Sequence, residues 1–243
     1  HAILGPLIRS IFIPEKDCQW GIFDYSQQEP RLVVHYANLK NYMGANKFVD
    51  SYQKDDSTDF HQMVSDLADI PRKQAKTINL GLFYGMGKGK LMSQLGVDQE
   101  TAEDLLAGYH ERVPFVKKLM MDTMRKAGDK GFLSTIEGRR CRFDLWEPAN
   151  EWGKKALPLA EAQREYGEHV IKRAWTYKAL NRLIQGSAAD QTKKAMLELS
   201  KQGYLAHIQV HDELDFSVAS DCDKYKIKEI MEHAIELQVP NKV

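Results

Sequence analysis

Strand-like segments near the two ends of the chain constrain its fold more than any other feature. Residues 20–25 form a short apolar and aromatic run that is typical of a buried strand. Residues 205–210 and 213–218 alternate around His211 and Asp212, which is the pattern of a β-hairpin. Helical patterns fill most of the chain between them. The sequence therefore predicts an α+β fold, in which a large helical insertion interrupts an antiparallel sheet.

Capping and helix-breaking residues predict where the helices begin and end. Asp59 is a predicted N-cap for a helix over 60–67, and Pro71 is expected to end it and to open the next at its first position. That next helix covers 72–84 and stops at Gly85, Gly87 and Gly89. The further predictions are a loop over 41–58, a helix over 101–126 with a bend at Pro114, short strands around a turn over 131–143, and helices over 188–199 and 221–237. Residues 144–174 show no clear pattern.

The overall charge gives no support for a nucleic-acid partner. The 243 residues contain 34 Lys plus Arg and 34 Asp plus Glu, whereas nucleic-acid enzymes often carry a basic surplus. Basic residues are nevertheless clustered over 72–90, with no acid among them, and at Arg139, Arg140 and Arg142. Such clusters are usually a solvated surface.

Several protein classes are disfavoured by the remaining composition. The three cysteines are far apart without CxxC spacing, which argues against a disulfide framework or a zinc site. No apolar run approaches the length of a membrane span, and the first residues lack a signal-peptide pattern. We expect a soluble cytoplasmic protein with no membrane partner. A histidine at position 1 and an end at Val243 without a closing helix lead us to expect a fragment of a longer polypeptide.

Two carboxylates stand out by their context. Asp24 closes the apolar strand and Asp212 lies in the hairpin turn, and charges beside buried strands are costly unless they are paired or bind a metal. Two such oxygen ligands at a sheet edge would suit Mg²⁺, as in a two-metal site for phosphoryl transfer. The alternative is that each residue only ends a strand or forms a turn.

The helix over 72–84 carries a row of residues spaced by four. Arg72, Lys76, Leu80 and Tyr84 lie along one slowly drifting face that extends about 18 Å. Its cations could hold a triphosphate and its aromatic residue could face a base or sugar. The alternative is an amphipathic helix with solvent-exposed Lys and Arg.

Four segments resemble motifs of DNA polymerase family A, and they occur in the family's order. Asp24-Tyr-Ser-Gln-Gln-Glu-Pro-Arg31 resembles motif A, and residues 72–85 are similar to motif B, Arg-x3-Lys-x7-Tyr-Gly. Gln209-Val-His-Asp-Glu213 resembles motif C, and Asn181-Arg-Leu-Ile-Gln-Gly-Ser-Ala-Ala-Asp190 matches another characteristic segment. Residues 8–12 and 138–140 also have counterparts.

This resemblance implies the right-hand polymerase fold without its thumb. Residues 1–34 and 176–243 would form the palm, with motif C in the hairpin over 205–218, and residues 35–175 would form the fingers. It implies template-directed transfer of a nucleotide from a dNTP to a primer 3′-hydroxyl, with two Mg²⁺ ions as cofactors and primer–template DNA as partner. We expect a monomer in a bacterial or phage-infected cell; the sequence names no helicase or processivity factor.

The resemblance also implies roles for single residues. Asp24 and Asp212 would hold the metals, assisted by the backbone carbonyl of Tyr25, while Arg72 and Lys76 would clamp the triphosphate. The other implied roles are as follows: Glu29 as steric gate against a ribose 2′-hydroxyl with Tyr84 beside it, His211 at the primer terminus, Asn181 and Gln185 in the minor groove, Gln27 and Leu80 at the substrate, Glu213 in support, and Gly85, Arg139 and Arg140 at the DNA.

Three departures from the family pattern carry expectations of their own. Leu80 stands where the family most often has Phe or Tyr, so we expect slower incorporation and poor use of dideoxynucleotides; leucine here also points to phage-like members. Gln28 and Pro30 flank Glu29, and the missing backbone donor of proline puts the placement of Glu29 in question.

Other functions remain open at this stage. A single-subunit RNA polymerase would share the fold, although Glu29 and Glu213 are DNA-polymerase features. A non-catalytic nucleic-acid-binding remnant would have lost a metal ligand or a triphosphate clamp, and none is lost. A nuclease would need denser acidic clusters.

Overall fold

Helices dominate the structure, a computed structural model that describes residues 4–86, 88–151 and 153–243. The helices are α1 (Leu4–Arg9), α2 (Gln28–Leu39), α3 (Ala45–Lys54), α4 (Phe60–Ala68), α5 (Arg72–Phe83), α6 (Lys88–Leu95), α7 (Gln99–Arg112), α8 (Pro114–Lys130), α9 (Leu159–Tyr166), α10 (Ala179–Lys201) and α11 (Asp221–His233). The strands are β1 (Gln19–Asp24), β2 (Phe132–Ser134), β3 (Arg140–Arg142), β4 (Leu145–Pro148), β5 (Leu157–Pro158), β6 (Ile171–Arg173), β7 (Ile208–Val210) and β8 (Glu213–Val218). Short 3₁₀ turns cover Glu168–Val170 and Thr176–Lys178. Within these residues, no helix combines the length and the apolarity needed to cross a bilayer.

The main sheet joins strands from the two ends of the sequence. Its order is β1-β8-β7 and both pairings are antiparallel. Gln19 lies opposite Val218 and Asp24 lies opposite Glu213, so the last residue of β1 meets the first residue of β8. Two smaller antiparallel sheets, β2-β3 and β5-β4-β6, belong to the stretch between them. The mixed helix-and-sheet class and the antiparallel sheet predicted from the sequence are confirmed.

Helix α10 connects the two main apolar cores. Leu180 and Ile184, in its first half, pack into the core built by α2 to α8. Ala195 and Leu199, in its second half, pack beneath the sheet with residues of β1, β8 and α11. A helix buried along its whole length in this way fixes the position of the sheet relative to the helical insertion.

The loop predicted over 41–58 is wrong. Gly44, at φ 89°, turns the chain into α3, and this helix buries Phe48, Val49 and Tyr52 against the helical core. Polar residues surround these three in the sequence, so the segment has the composition of a loop and its helical spacing was not recognised. A helix is stabilised here by tertiary packing more than by its own propensity.

Other boundaries differ by smaller amounts. Pro71 is the N-cap of α5 and does not occupy its first helical position. The helix predicted over 101–126 is two helices, because the chain leaves helical geometry at Val113, before Pro114 opens α8. Helix α10 begins nine residues earlier than predicted, at Ala179, and α11 ends at His233. Gly87, part of the predicted glycine stop, and residues 1–3 lie outside the described residues.

Candidate active site

A cleft of about 880 Å³ lies between the end of the main sheet, the start of α2 and the middle of α10. It brings together eight of the residues singled out in the sequence: Asp24, Tyr25, Gln27, Glu29, Tyr84, Gln185, His211 and Asp212. These residues come from motifs that are far apart in the chain. The sheet pairing and α10 therefore assemble the cleft.

The two predicted metal-binding carboxylates lie side by side at one end of the main sheet, Asp24 as the last residue of β1 and Asp212 in the turn just before β8. Asp24 ends β1 opposite Glu213, and the backbone N–H of Tyr25 donates to the carbonyl of Asp212 over 3.4 Å. His211 enters the hairpin turn with φ 57°, a left-handed conformation that non-glycine residues adopt rarely. Its carbonyl accepts a hydrogen bond from the Gln209 side chain at 3.1 Å. The tight turn thereby holds Asp212 beside the end of β1.

The charges at this end of the sheet repel one another. The pKa of Asp24 is raised, first by burial and then by the negative charges of Asp212 and Glu213. A bound cation would relieve this repulsion, and the donors are the hard oxygen atoms that magnesium-like ions prefer. Tyr25 can contribute only its backbone, because its side chain is buried and its hydroxyl donates to the Met231 carbonyl at 2.7 Å. The donor set fits a divalent cation that takes its remaining ligands from substrate or water; no cluster of three His, Cys, Asp or Glu side chains suited to a metal occurs in the described ranges.

Glu29 lies at the centre of a small hydrogen-bonded group within the cleft. Burial raises the pKa of its carboxyl, hydrogen bonds with Tyr84 and Gln185 oppose that rise, and the charge of Asp212 adds to it. The pKa of Tyr84 is raised to about 12 by burial and by the charge of Glu29 and a hydrogen bond with it. Three elements, α2, α10 and the end of α5, therefore fix the direction of the Glu29 side chain.

The two departures beside Glu29 are accommodated without disturbing it. Pro30 is the third residue of α2, and the first backbone hydrogen bond of the helix is donated by Arg31 to the Gln27 carbonyl. Residues in the first turn of a helix have no intrahelical acceptor for their N–H groups, so the donor missing from Pro30 costs nothing there. The buried Gln28 side chain donates to the Ala188 carbonyl and the Thr192 hydroxyl on α10, each at 3.3 Å.

Gln27 lines the cleft, but its side-chain amide is engaged within the chain. Its nitrogen donates to the Thr58 carbonyl at 2.9 Å, and its oxygen accepts from Phe60 N at 2.8 Å and from the Tyr52 hydroxyl at 3.3 Å. Gln27 itself has φ 53°. These bonds hold the sharp turn between β1 and α2, which orients the start of α2.

Arg72 and Lys76 project from the first turns of α5, outside the residues that line the cleft. The Arg72 guanidinium donates to the Asp59 carboxylate from Nε at 2.9 Å and from a terminal nitrogen at 2.5 Å. Burial alone would raise the pKa of Asp59, but the hydrogen bond and charge of Arg72, with the backbone N–H groups of Gln62 and His61, lower it. Lys76 is exposed one turn farther along the helix.

Asp59 and His61 lie close enough to Arg72 and Lys76 to interact with their charges, which the sequence did not reveal. Asp59 was predicted only as a helix cap, which it is, and His61 was not singled out. Burial lowers the pKa of His61 to about 4, with Lys76 and Arg72 adding to the shift and Asp59 opposing it. His61 Nδ1 lies 2.9 Å from the side-chain nitrogen of Asn79, whose oxygen accepts from the Tyr109 hydroxyl at 2.6 Å. The only sequence signal was an acidic cap just ahead of a cationic helix.

The remaining predicted DNA-binding and substrate-binding residues lie outside the lining of the cleft. Leu80 and Asn181 are half-buried on α5 and α10. Gly85 has φ 65°, and a Cβ there would lie 2.5 Å from the Tyr177 carbonyl oxygen, so both the backbone conformation and the close contact require glycine.

Arg139 and Arg140 are exposed but engaged in different ways. Arg139 forms an ion pair with Asp190 at 2.9 Å and donates to the Gly186 carbonyl at 2.8 Å, which attaches the turn between β2 and β3 to α10. Arg140 lies 4.7 Å from the centroid of the Phe132 ring.

DNA polymerases are among the known proteins that this chain is similar to. Over 97% of its length, the chain is 36% identical to a DNA-directed DNA polymerase of Pseudomonas phage M6, of which it covers 38%. It is 33% identical to DNA polymerase I of Bacillus subtilis (strain 168), aligned over 98% of this chain and 26% of that protein. The chain thus spans well under half the length of these relatives.

The fold leads to the same group of proteins. A solved structure of the POL domain of Pol1 from M. smegmatis, in complex with DNA primer-template and dNTP, matches 97% of this chain and 40% of that chain with a TM-score of 0.74 and 28% sequence identity. The sequence profile of DNA polymerase family A matches residues 3–243. With the motifs assembled in one cleft and the match extending over nearly the whole sequence, the chain belongs to DNA polymerase family A.

Proposed function

We propose that this chain is the catalytic part of a DNA-dependent DNA polymerase, which transfers nucleotides from dNTPs to the 3′-hydroxyl of a primer. The observation that carries the proposal is the meeting of Asp24 and Asp212 at one end of the β1-β8-β7 sheet, in a cleft that also contains Glu29 and Tyr84. The match to a polymerase domain solved with DNA primer-template and dNTP supports the same substrates for this chain. In this function the sheet region is the palm (residues 1–34 and 176–243) and residues 35–175 are the fingers.

Asp24, Asp212 and the Tyr25 carbonyl are the groups that would hold two Mg²⁺ ions. When bound, such ions activate the attacking hydroxyl and stabilise charge on the leaving group. The pKa of Asp24 is raised first by burial and then by the charges of Asp212 and Glu213, and a bound cation would offset both effects, which supports this role. The carboxylates themselves would fix the position of those ions at the end of the sheet.

The cations of α5 suit a triphosphate. Arg72 presents a planar guanidinium and Lys76 a mobile ammonium on one helical face, and both can neutralise charge that develops during phosphoryl transfer. In this role Asp59 is a positioning residue, because it orients the Arg72 guanidinium through its two hydrogen bonds.

Glu29 is proposed to select deoxynucleotides by filling the space beside the sugar. Hydrogen bonds with Tyr84 and Gln185 hold its side chain in one direction. The carboxylate would therefore occupy the space that a ribose 2′-hydroxyl needs. Gln185 and Asn181 on α10 would sense the minor groove, where every base pair offers similar acceptors, and His211 would contact the primer end. Gly85, Arg139 and Arg140 would lie along the DNA, and the chain would act as a cytoplasmic monomer.

A single-subunit RNA polymerase is the second candidate. Glu29 favours the DNA enzyme, because a half-buried carboxylate held by two neighbours in the cleft is an obstacle to a 2′-hydroxyl. A non-catalytic remnant is disfavoured because each carboxylate and cation of the proposed machinery is retained.

The test is extension of a labelled primer on a DNA template by the 243-residue chain at low salt, with and without Mg²⁺. Asp212→Asn should abolish extension, whereas Asp221→Asn, a matched change at the exposed start of α11, should leave it intact. Extension that survives Asp212→Asn would overturn the assignment of the site. Equal use of ribonucleotides and deoxynucleotides would favour the RNA polymerase.

A further inference from the structure

Arg31, in the first turn of α2, is the most deeply buried charged side chain among the described residues, with 1% of its surface exposed. Its guanidinium donates to three backbone carbonyls: Nε to Ser26 at 2.8 Å, and the two terminal nitrogens to Pro240 and Asp56, each at 2.6 Å. It also lies 4.5 Å from the centroid of the Tyr52 ring. A buried charge is costly unless polar groups replace its water, and here carbonyl oxygens and a ring do so. The cation is therefore held in one place from several sides.

The three carbonyls belong to segments that are far apart in the sequence. Ser26 lies in the turn after β1, two residues beyond Asp24. Asp56 lies in the loop between α3 and α4, which we call the 55–59 loop, and Pro240 lies in the strap that follows α11 (residues 234–243). One side chain thus joins the end of β1, the 55–59 loop and the strap at a single point.

Other contacts join the same three segments around the guanidinium. The backbone N–H of Ser26 donates to the Lys242 carbonyl at 2.8 Å, and the Lys242 ammonium pairs with the Asp56 carboxylate at 2.6 Å. The Gln27 amide donates to the Thr58 carbonyl at 2.9 Å. The strap, the turn and the loop therefore hold one another, and the buried cation lies where they meet.

The 55–59 loop continues this arrangement to the cations of α5. Its last residue, Asp59, caps α4 and accepts hydrogen bonds from the Arg72 guanidinium at 2.9 and 2.5 Å. Arg31 holds this loop three residues earlier and also holds the turn after Asp24. A nucleotide whose triphosphate reaches Arg72 and whose reacting phosphate lies beside Asp24 would span both ends of this path.

We propose that Arg31 is a positioning residue for nucleotide binding, because it fixes the place of Arg72 relative to Asp24 through the 55–59 loop. Lysine would not replace it: an ammonium is a compact charge, whereas the planar guanidinium donates in three directions at once. With lysine the three segments would be held less firmly, and Arg72 would lose its alignment with the carboxylates. This proposal rests on the proposed polymerase function and adds to it a buried residue that does not line the cleft.

Its test is the dissociation constant of a matched dNTP for the chain bound to a primer–template whose primer ends in a dideoxynucleotide, so that no bond forms. Arg31→Lys should raise this constant about fivefold, which corresponds to about 1 kcal/mol. The affinity for the primer–template itself should change little. A purely structural role would lower stability and the fraction of active protein but leave the dNTP dissociation constant unchanged, and that result would overturn the inference.

The matched control is Arg173→Lys, the same change at a second guanidinium that donates to backbone carbonyls. Arg173 donates to Gly128 and Phe143 at 3.1 and 2.8 Å and lies 4.6 Å from the centroid of the Trp146 ring. These partners lie on α8, after β3 and on β4, and not in the 55–59 loop. The control should lower stability in urea and leave the dNTP dissociation constant unchanged. An equal rise in both variants would mean general loosening of the fold and would count against the proposal.

A double variant tests whether the effect passes through the loop. Asp59→Asn loosens Arg72 directly, so Arg31→Lys added to it should raise the dNTP dissociation constant by much less than the product of the two single effects. Effects that multiply would show that Arg31 acts by another route.

Circular dichroism identifies a variant that fails to fold, and Tyr52→Leu then decides the question. This change removes the ring beside the guanidinium but leaves its three carbonyl acceptors, so it should raise the dNTP dissociation constant about twofold, whereas Tyr52→Phe keeps the ring and should not. No rise in Tyr52→Leu would overturn the inference. Nucleotide binding that depends on Arg31 without extension of an ordinary primer would instead refute the proposed function and leave the role of Arg31 standing. A wild-type chain that binds no dNTP would refute both.

Discussion

Arg72 donates two hydrogen bonds to one oxygen of Asp59, and this carboxylate serves two purposes. Asp59 Oδ2 accepts both hydrogen bonds from the guanidinium, while Oδ1 accepts from the backbone N–H groups of His61 and Gln62 and so caps α4. The start of α4 and the first cation of α5 are therefore positioned by the same side chain.

Substitutions at Asp59 should separate the cap from the ion pair. Asp59→Ala should lower the free energy of unfolding by about 1 kcal/mol, because two backbone donors lose their acceptor. Asp59→Asn should cost about half of that or less, since asparagine caps equally well and a pair with side chains 48% and 34% exposed contributes little. Urea unfolding measures both values, with Arg72→Gln as the variant that loses only the pair. Equal losses for Ala and Asn would show that the ion pair dominates.

Glu29 should govern the choice of sugar. Glu29→Ala opens the space that the fixed carboxylate fills, so we expect discrimination against ribonucleotides to fall by about tenfold to a hundredfold. Single-turnover incorporation of matched dNTP and rNTP measures the ratio. Tyr84→Phe, which removes one hydrogen bond but leaves the side chain in place, should lower the ratio far less; an unchanged ratio in Glu29→Ala would exclude the gate.

Gln28 should be replaceable by an apolar residue of similar size. Gln28→Ile removes two donors at 3.3 Å, but the Ala188 carbonyl still accepts from the Thr192 hydroxyl, so no acceptor there is left without a donor. We expect a change in unfolding free energy of about 0.5 kcal/mol or less, of either sign. Gln28→Ala should cost about 2 kcal/mol by leaving a cavity. Thermal or urea unfolding distinguishes the two, and a large loss with Ile would mean that the bonds to α10 are essential.

His35 should make the chain less stable in mild acid. Burial lowers its pKa from 6.5 to about 4, and its Nδ1 accepts from the backbone N–H of Gln238 at 3.0 Å. As the pH falls, the unfolded state binds a proton at His35 before the folded state does. The free energy of unfolding is therefore unaffected by His35 above pH 6.5 and decreases as the pH falls toward 4. Between pH 7.5 and 5.5 the loss should be about 1 kcal/mol. His35→Asn keeps an acceptor but does not titrate, so its urea midpoint should fall less over that interval; parallel curves would contradict this account.

Leu80 should limit nucleotide binding if it lies against the incoming sugar. Leu80→Phe should tighten dNTP binding by about fivefold, which corresponds to about 1 kcal/mol of aromatic contact, and should improve the use of dideoxynucleotides. Pre-steady-state incorporation gives the affinity and the rate separately. Leu80→Met is the control for side-chain length, and unchanged values in Leu80→Phe would remove Leu80 from the substrate site.

The fold could be predicted wherever apolar periodicity and turn residues agreed. Strand β1 and the β7-β8 hairpin followed from alternation, and the Asp59 cap from its position before an apolar run. Helix α3 was missed because its few large buried residues are set among polar ones. The short strands β4 to β6 were missed because their pairing depends on partners more than ten residues apart, which no local pattern encodes.

The sequence predicted several of the residues that line the cleft, but not the hydrogen bonds that their side chains make. Spacing and resemblance brought out Asp24, Glu29, Tyr84 and Asp212, and all four line one cleft. No sequence rule shows that the Gln27 amide is occupied by its own chain or that Arg72 is held by Asp59. Such contacts depend on side-chain direction after packing.

The pairing of β1 with β8 has a consequence for synthesis on the ribosome. Asp24 is made early and Asp212 late, so the cleft cannot exist until nearly the whole of this stretch has left the exit tunnel. Pairing strands so far apart in the sequence is slow, because a long loop must close before the contacts form. Residues near the end complete the arrangement: the Pro240 and Lys242 carbonyls accept from Arg31 and from Ser26 N at the start of α2. A translation product that stops before β8 would carry Arg72 and Lys76 of α5 but would lack the β1-β8 pairing that closes the cleft.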